Sequence, residues 1–116
     1  MSARYVEALE RVGRVRGIRG ALLVHAEDGL VVAEALLEEV DARAVAALSA
    51  GLVSRLRRSA GHAGLRPPAF VHLRGEGGML LAVPAPDDLL VVAIADSDAN
   101  VGLARLEMLE AAGRLG

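Results

Sequence analysis

The sequence contains no cysteine, no lysine and no tryptophan, and its 116 residues include one tyrosine and one phenylalanine. The absence of cysteine excludes disulfides, a thiol nucleophile and a thiolate metal site. The absence of lysine excludes Schiff-base chemistry and a P-loop lysine, so we expect no nucleotide hydrolysis by the chain itself. With few aromatic rings to stack on bases and a net charge of −2, nucleic acid is not an expected partner.

Long apolar runs are missing as well. The longest, residues 89–95, is far shorter than the ~20 residues that a membrane-spanning helix needs. The first residues alternate charged and apolar side chains and do not read as a secretory signal. We therefore expect a cytoplasmic protein without membrane insertion, folded as a single domain over residues 1–116.

Residues that could support catalysis are scattered. His25, His62 and His72 lack the close spacings of a zinc site, and no Gly-x-Ser-x-Gly elbow surrounds a serine. The acidic pairs at 27–28, 38–39 and 87–88 fall in predicted turns or loops, where nothing apolar would raise a carboxyl pKa. We expect no enzyme, no cofactor and no metal.

Apolar periodicity and turn residues predict three helices and five strands. The expected order is a helix at 3–15, strands at 18–26 and 30–36, a helix at 41–60, strands at 69–74, 79–83 and 89–95, and a helix at 99–115. The strand at 89–95 is apolar on both faces, which predicts a central position. Pro67 and Pro68 at the entrance of the strand at 69–74 predict an edge.

Two details of packing follow from the same patterns. The Asp-Gly pair at 28–29 indicates a type I′ hairpin, which would place Leu23 opposite Glu34 and His25 opposite Val32. In the last helix, apolar spacing predicts a buried stripe formed by Val101, Leu103, Leu106 and Leu109, which either Ala112 or Ala111 would continue.

The helix at 41–60 has an apolar arc wider than one sheet contact usually demands. Asp41 would cap it, and the arc contains Val45, Leu48, Leu52 and Leu56, widening through Ala42, Ala46, Ser49 and Val53. On its far side small residues lie beside arginines: Ala44, Ala47 and Gly51 with Arg43, Arg55 and Arg58. This strip favours close approach of a partner, although alanine is also common in helices for its propensity alone.

Two segments carry a resemblance to a known family. Residues 17–24 and 28–33 resemble the opening hairpin of the Roadblock family, and residues 95–106 are similar to the closing strand and helix of its bacterial members. The resemblance implies an α/β, profilin/longin-like fold of order α-β-β-α-β-β-β-α. Its five-stranded antiparallel sheet would carry the first and last helices on one face and the middle helix on the other.

The resemblance also implies a homodimer in which the third strands meet edge to edge and the middle helices pack together. Transferred to this sequence, the expected interface is Ala46, Ser49, Val53, Phe70, Val71, His72 and Leu73. Val71→Pro would then remove a hydrogen bond at the shared edge.

Bacterial family members of the MglB type bind small Ras-like GTPases and stimulate GTP hydrolysis, so the resemblance implies a non-enzymatic GTPase regulator. The expected GTPase-facing residues are Arg43, Ala47, Gly51, Arg55 and Arg58. Eukaryotic members assemble other proteins, and a scaffold without effect on nucleotide turnover is the alternative. A third hypothesis, small-molecule sensing, is weakened by the shortage of aromatic and polar side chains to line a pocket.

Overall fold

The computed structural model describes residues 2–115, which form three helices and five strands in the predicted order. The elements are α1 (Ala3–Gly13), β1 (Ile18–His25), β2 (Val31–Leu36), α2 (Ala42–His62), β3 (Val71–Gly75), β4 (Gly78–Ala85), β5 (Leu89–Ala95) and α3 (Val101–Arg114). The predicted fold class is confirmed.

All strands belong to one antiparallel sheet of order β2-β1-β5-β4-β3. β5 lies in the middle, as its continuous apolar sequence predicts, because both of its faces are covered. β2 and β3 form the two edges. The edge position predicted for the third strand is therefore confirmed.

The helices form two layers on opposite faces of the sheet. On one face α1 and α3 cover a core that includes Leu9, Val12 and Met108. On the other face α2 covers a second core, to which it contributes Ala46, Ala50 and Val53. Within residues 2–115 no helix is long and apolar enough to cross a membrane.

The register of the β1–β2 hairpin differs from the prediction. Leu23 pairs with Ala33 and not with Glu34, because the turn is longer than the Asp-Gly pair and moves the alignment by two positions, of which a bulge at Val32 restores one. A bulge adds a residue to one strand that no hydrophobic pattern specifies.

The predicted pairing of His25 with Val32 is wrong for a related reason. The His25 amide donates to the carbonyl of Leu30 (2.9 Å), so the connection is longer than two residues. Among the turn residues only Gly29 has a positive φ, at 73°, whereas a type I′ turn requires two. The Asp28 carboxylate instead accepts the Leu30 amide (3.0 Å), forming a local side-chain turn.

α3 exposes the leucines of the predicted stripe, which is contrary to the prediction, whereas Val101 packs against the core and Ala111 and Ala112 are buried, as predicted. Its buried residues are Ala104, Met108, Ala111 and Ala112, whereas Leu103, Leu106 and Leu109 are exposed. The Asn100 side-chain oxygen Oδ1 caps this helix by accepting a hydrogen bond from the Leu103 amide (3.0 Å).

Candidate interaction surface

α2 lies against the sheet through small side chains. Asp41 caps its start by accepting the amide of Ala44 (3.1 Å), as predicted. Its buried residues are Ala46, Ser49, Ala50 and Val53. The Ser49 hydroxyl is satisfied within the helix because it donates to the Val45 carbonyl (2.7 Å), so a polar residue is buried without a loss of hydrogen bonding.

This packing corrects part of the predicted dimer interface. Ala46 and Ser49 are 0% exposed and Val53 is 2% exposed within the single chain. Their side chains already contact the chain's own sheet, so a partner cannot reach them. The width of the apolar arc of α2 favoured contact with a partner. The small side chains of this arc, however, are the ones that face the core of the chain itself.

β3 presents a free backbone edge. The loop 76–77 holds two residues and is closed by the pair Gly75 and Gly78, which exchange hydrogen bonds in such a hairpin. Bonding alternates along an antiparallel ladder, so the backbone groups of Leu73 and Val71 point to β4. Those of His72 and Arg74 point away from the sheet, where another strand could pair with them.

An apolar groove separates α2 from β3. We call it the α2–β3 groove; it measures about 410 Å³, and its apolar lining includes Val45, Leu48, Leu73, Leu80 and Ile94. Leu48 and Leu73 are 53% and 45% exposed, which is high for leucine. Because the groove opens beside the free edge of β3, one partner could cover both.

Arg19 fixes the turn at one end of the α2–β3 groove. Its guanidinium donates to the Asp96 carboxylate (2.6 Å) and to the Gly77 carbonyl (2.9 Å). These bonds link the end of β5 to the β3–β4 turn. The edge strand is thereby held in place before any partner arrives.

On its other face β3 carries polar and aromatic side chains. Phe70 lies at a bend immediately before the strand, which begins at Val71 and not at 69 as predicted. The Arg105 guanidinium lies 5.4 Å from the centre of the Phe70 ring, within cation–π range. His72 Nε2 lies 3.0 Å from Met79 Sδ. The four predicted interface residues of this segment therefore lie in or next to the edge strand: Phe70, Val71, His72 and Leu73.

The five predicted GTPase-facing residues share the outer side of α2. We call this set the basic face; Arg43, Ala47, Gly51, Arg55 and Arg58 are all exposed. In the part of the chain that the structure describes, its three arginines form no hydrogen bond or ion pair. Arg57, on the flank of the helix, is instead 3.4 Å from the Asp88 carboxylate.

Charge is strongly segregated along the chain. Residues 43–74, which span α2 and most of β3, contain six arginines and no acidic residue. Residues 27–41, which span β2 and its two flanking loops, contain six acidic residues and no basic one. The two edges of the sheet therefore differ in sign, and a net charge of −2 hides this separation.

Titratable groups do not assemble into a chemical centre in the described residues. Within 2–115 no three histidine or acidic side chains come together in a way that could hold a metal ion. The feature that stands out is instead a surface made of the free edge of β3, the α2–β3 groove and the basic face.

Comparison with known proteins identifies the family. The model of the Roadblock/LC7 domain matches residues 5–95. The chain belongs to the Roadblock/LC7 family. Three uncharacterized proteins of Methanocaldococcus jannaschii are each 34% identical to this Roadblock/LC7 domain over 107 residues, covering 92% of the chain and 89% or more of each relative.

Solved structures agree with this assignment of the Roadblock/LC7 domain. The gliding protein MglB of Thermus thermophilus is 27% identical, with a TM-score of 0.87, over 99% of this chain and 90% of that one. Profilin II of Acanthamoeba castellanii shares 17% identity with a TM-score of 0.59, over 96% of this chain and 93% of that one. The second likeness concerns the fold alone, and it agrees with the profilin-like architecture that was expected.

Sequence reasoning missed one part of this Roadblock/LC7 surface. Val45 and Leu48 line the α2–β3 groove, yet neither was among the residues expected at the dimer interface. The available signal was the run of small residues at 46, 49 and 50, which allows a helix to approach a sheet closely and turns the larger neighbours outward.

Proposed function

We propose that the protein works as a homodimer joined through the edge of β3 and the α2–β3 groove. Pairing β3 with its copy would give partners to the outward backbone groups of His72 and Arg74 and extend the sheet across two subunits. The same approach would cover Leu48 and Leu73. Exposed leucines beside an unprotected edge strand are the observation that supports this interface.

The contribution of α2 to this interface differs from the one first expected. Val45 and Leu48 take the place of Ala46, Ser49 and Val53, because they line the groove beside the free edge. The Arg74 guanidinium donates to the Ser97 carbonyl of its own chain (3.0 Å), which holds this charged group beside the segment that follows β5.

We further propose that the dimer is a non-enzymatic regulator of a small Ras-like GTPase. Support comes from the likeness to MglB-type members and from the basic face, where Arg55 and Arg58 are exposed in the middle of a stretch, residues 43–74, that contains no acidic residue. An acidic surface of the GTPase is the complementary partner for such a face. Ala47 and Gly51 between the arginines would allow the partner backbone to approach closely.

The test is a GTP turnover assay with a purified small Ras-like GTPase from the same organism. Reversing charge in the double variant Arg55→Glu, Arg58→Glu should abolish both binding and any effect on the rate, while the dimer stays intact. The matched control is Arg11→Glu, Arg16→Glu, because both residues are exposed arginines outside α2 and the change in net charge is the same.

The outcomes separate the two functions that the family suggests. A faster hydrolysis rate that the α2 variant loses and the control keeps supports regulation. Binding with an unaltered rate at saturating protein assigns the scaffold function instead. Unchanged binding by the α2 variant would remove the basic face from the interaction.

A further inference from the structure

β2 forms the second edge of the sheet, and in its C-terminal half the outward backbone groups face no other strand of the described sheet. The Leu37 amide donates to the Arg19 carbonyl (2.9 Å), which fixes the alternation of the β1–β2 ladder. Ala35 is therefore bonded to β1, and the backbone groups of Glu34 and Leu36 point away from the sheet. Edges are commonly protected by lysine, proline or bulges. Here the bulge lies towards the start of β2, away from Glu34 and Leu36.

Apolar side chains surround this open edge. Leu30, Leu36 and Leu37 are 64%, 36% and 61% exposed, and all three lie in or next to β2. A groove of about 290 Å³ runs between α1 and β2; it is lined by Val6, Gly13, Ala35, Leu36 and Leu37 together with one acidic and one basic residue of the α1 side, Glu10 and Arg14. A strand added to β2 would place alternate side chains in this groove.

The charge around β2 determines what kind of strand fits. All six charged residues between 27 and 41 are acidic, and Glu34 lies at the centre of the edge itself. The β2 strand of a second copy would bring the same charges into contact, which is unfavourable. The β3 strand of a second copy is basic, but in the proposed homodimer that edge is already occupied.

We propose that the β2 edge binds an extended segment of a partner protein by strand addition, and that this segment alternates basic and apolar side chains. The basic side chains lie beside Glu34, and the apolar ones enter the groove between α1 and β2. The proposal rests on the proposed function in one respect, that β3 is occupied by the second subunit. In such a dimer the two β2 edges are the free ends of the continuous sheet.

A fluorescent peptide in which arginine and valine alternate is the probe, and its anisotropy reports binding to the dimer. We expect saturable binding that Glu34→Pro weakens by about tenfold or more, because proline removes the outward N–H but leaves the bonds to β1. Glu34→Gln, which keeps the backbone, should weaken binding by about threefold. The control Leu106→Ser with Leu109→Ser, on the exposed side of α3 and outside both sheet edges, should leave the affinity unchanged.

A modified peptide keeps the test valid if Glu34→Pro does not fold. Methylating alternate amides of the probe on the bonding side should abolish binding to the wild-type protein, whereas methylation on the other side should not. Absence of saturable binding overturns the proposal. It is also overturned if the methylated probes bind equally, or if the α3 control weakens binding as much as Glu34→Pro does.

Failure of this proposal can be distinguished from failure of the homodimer or of the GTPase interaction. Glu34→Pro should form dimers and bind a GTPase as the wild-type protein does. Peptide binding that persists when the dimer or the GTPase interaction is disproved leaves this edge as a separate site. If the wild-type protein instead forms assemblies larger than a dimer that Glu34→Pro abolishes, a second copy occupies the edge and the proposal is wrong.

Discussion

Replacing Leu48 and Leu73 together with serine should dissociate the proposed dimer without unfolding the subunit. The two leucines are 53% and 45% exposed in the single chain. Burying a whole leucine contributes about 1.5–3 kcal/mol, so covering the exposed half of each should contribute about 1 kcal/mol. A two-fold interface uses each leucine twice, which makes about 4 kcal/mol and weakens the dimer about 10³-fold when all are lost.

The subunit itself should tolerate the change, because surface substitutions usually alter stability by about 0.5 kcal/mol or less. Sedimentation equilibrium over a dilution series gives the dimer Kd, and thermal unfolding gives the stability. The matched control is Leu106→Ser with Leu109→Ser, since these leucines are 52% and 40% exposed on α3 at the opposite face of the sheet. A double variant whose Kd stays near that of the wild type, or a control that weakens the dimer equally, would refute the interface.

Four further substitutions test single features. His72→Pro should weaken the dimer about tenfold or more in sedimentation, because it removes an outward N–H from each subunit. Val71→Pro should instead lower subunit stability by about 1–3 kcal/mol, because the Val71 amide bonds to β4. Gly51→Ala should stabilise the subunit by about 0.5–1 kcal/mol in thermal unfolding, since a Cβ there meets nothing within 4 Å, and a lower stability would contradict its exposure. Gly78→Ala should lower it by about 2 kcal/mol or more, because φ is 149° and the new Cβ would lie 2.6 Å from the Ala95 carbonyl oxygen; an unfolding curve like that of the wild type would disprove the strained turn.

The prediction for Val71→Pro also revises the expectation from the sequence that this variant would remove a hydrogen bond at the shared edge. Pro67 and Pro68 indicated an edge strand. Which residues direct their backbone N–H and C=O groups outward, however, depends on where the β3–β4 turn closes. The pair Gly75 and Gly78 sets that alternation. Proline at 71 therefore tests the subunit, and proline at 72 tests the interface.

Strand positions were predictable where composition left little choice. The residues 89–95 are apolar on both faces, and only a central strand satisfies that pattern. The β1–β2 register was not predictable, because the Asp-Gly pair indicated a two-residue loop whereas His25 bonds to Leu30, and because no hydrophobic pattern specifies the bulge opposite Leu23 and Val24.

Apolar periodicity did not predict which side chains the helices bury, and the physical reason is the same in α2 and α3. Apolar periodicity favours turning the largest side chains inward, yet α2 buries Ala46 and Ala50 and exposes Leu48, and α3 buries Ala104 and exposes Leu106. Small residues allow the helices to lie close to the sheet. The leucines left outside form exposed apolar surface, which the periodicity of the sequence did not indicate.

The most direct test of GTPase regulation is affinity capture of the tagged protein from a lysate of its own organism. It is run in parallel with GDP and with a non-hydrolysable GTP analogue, and it is read by mass spectrometry. The variant Arg55→Glu, Arg58→Glu serves as the control for the basic face. We predict that a small Ras-like GTPase is enriched with the GTP analogue and lost with the variant. Enrichment of other proteins, with no GTPase in either nucleotide state, would contradict the proposed function.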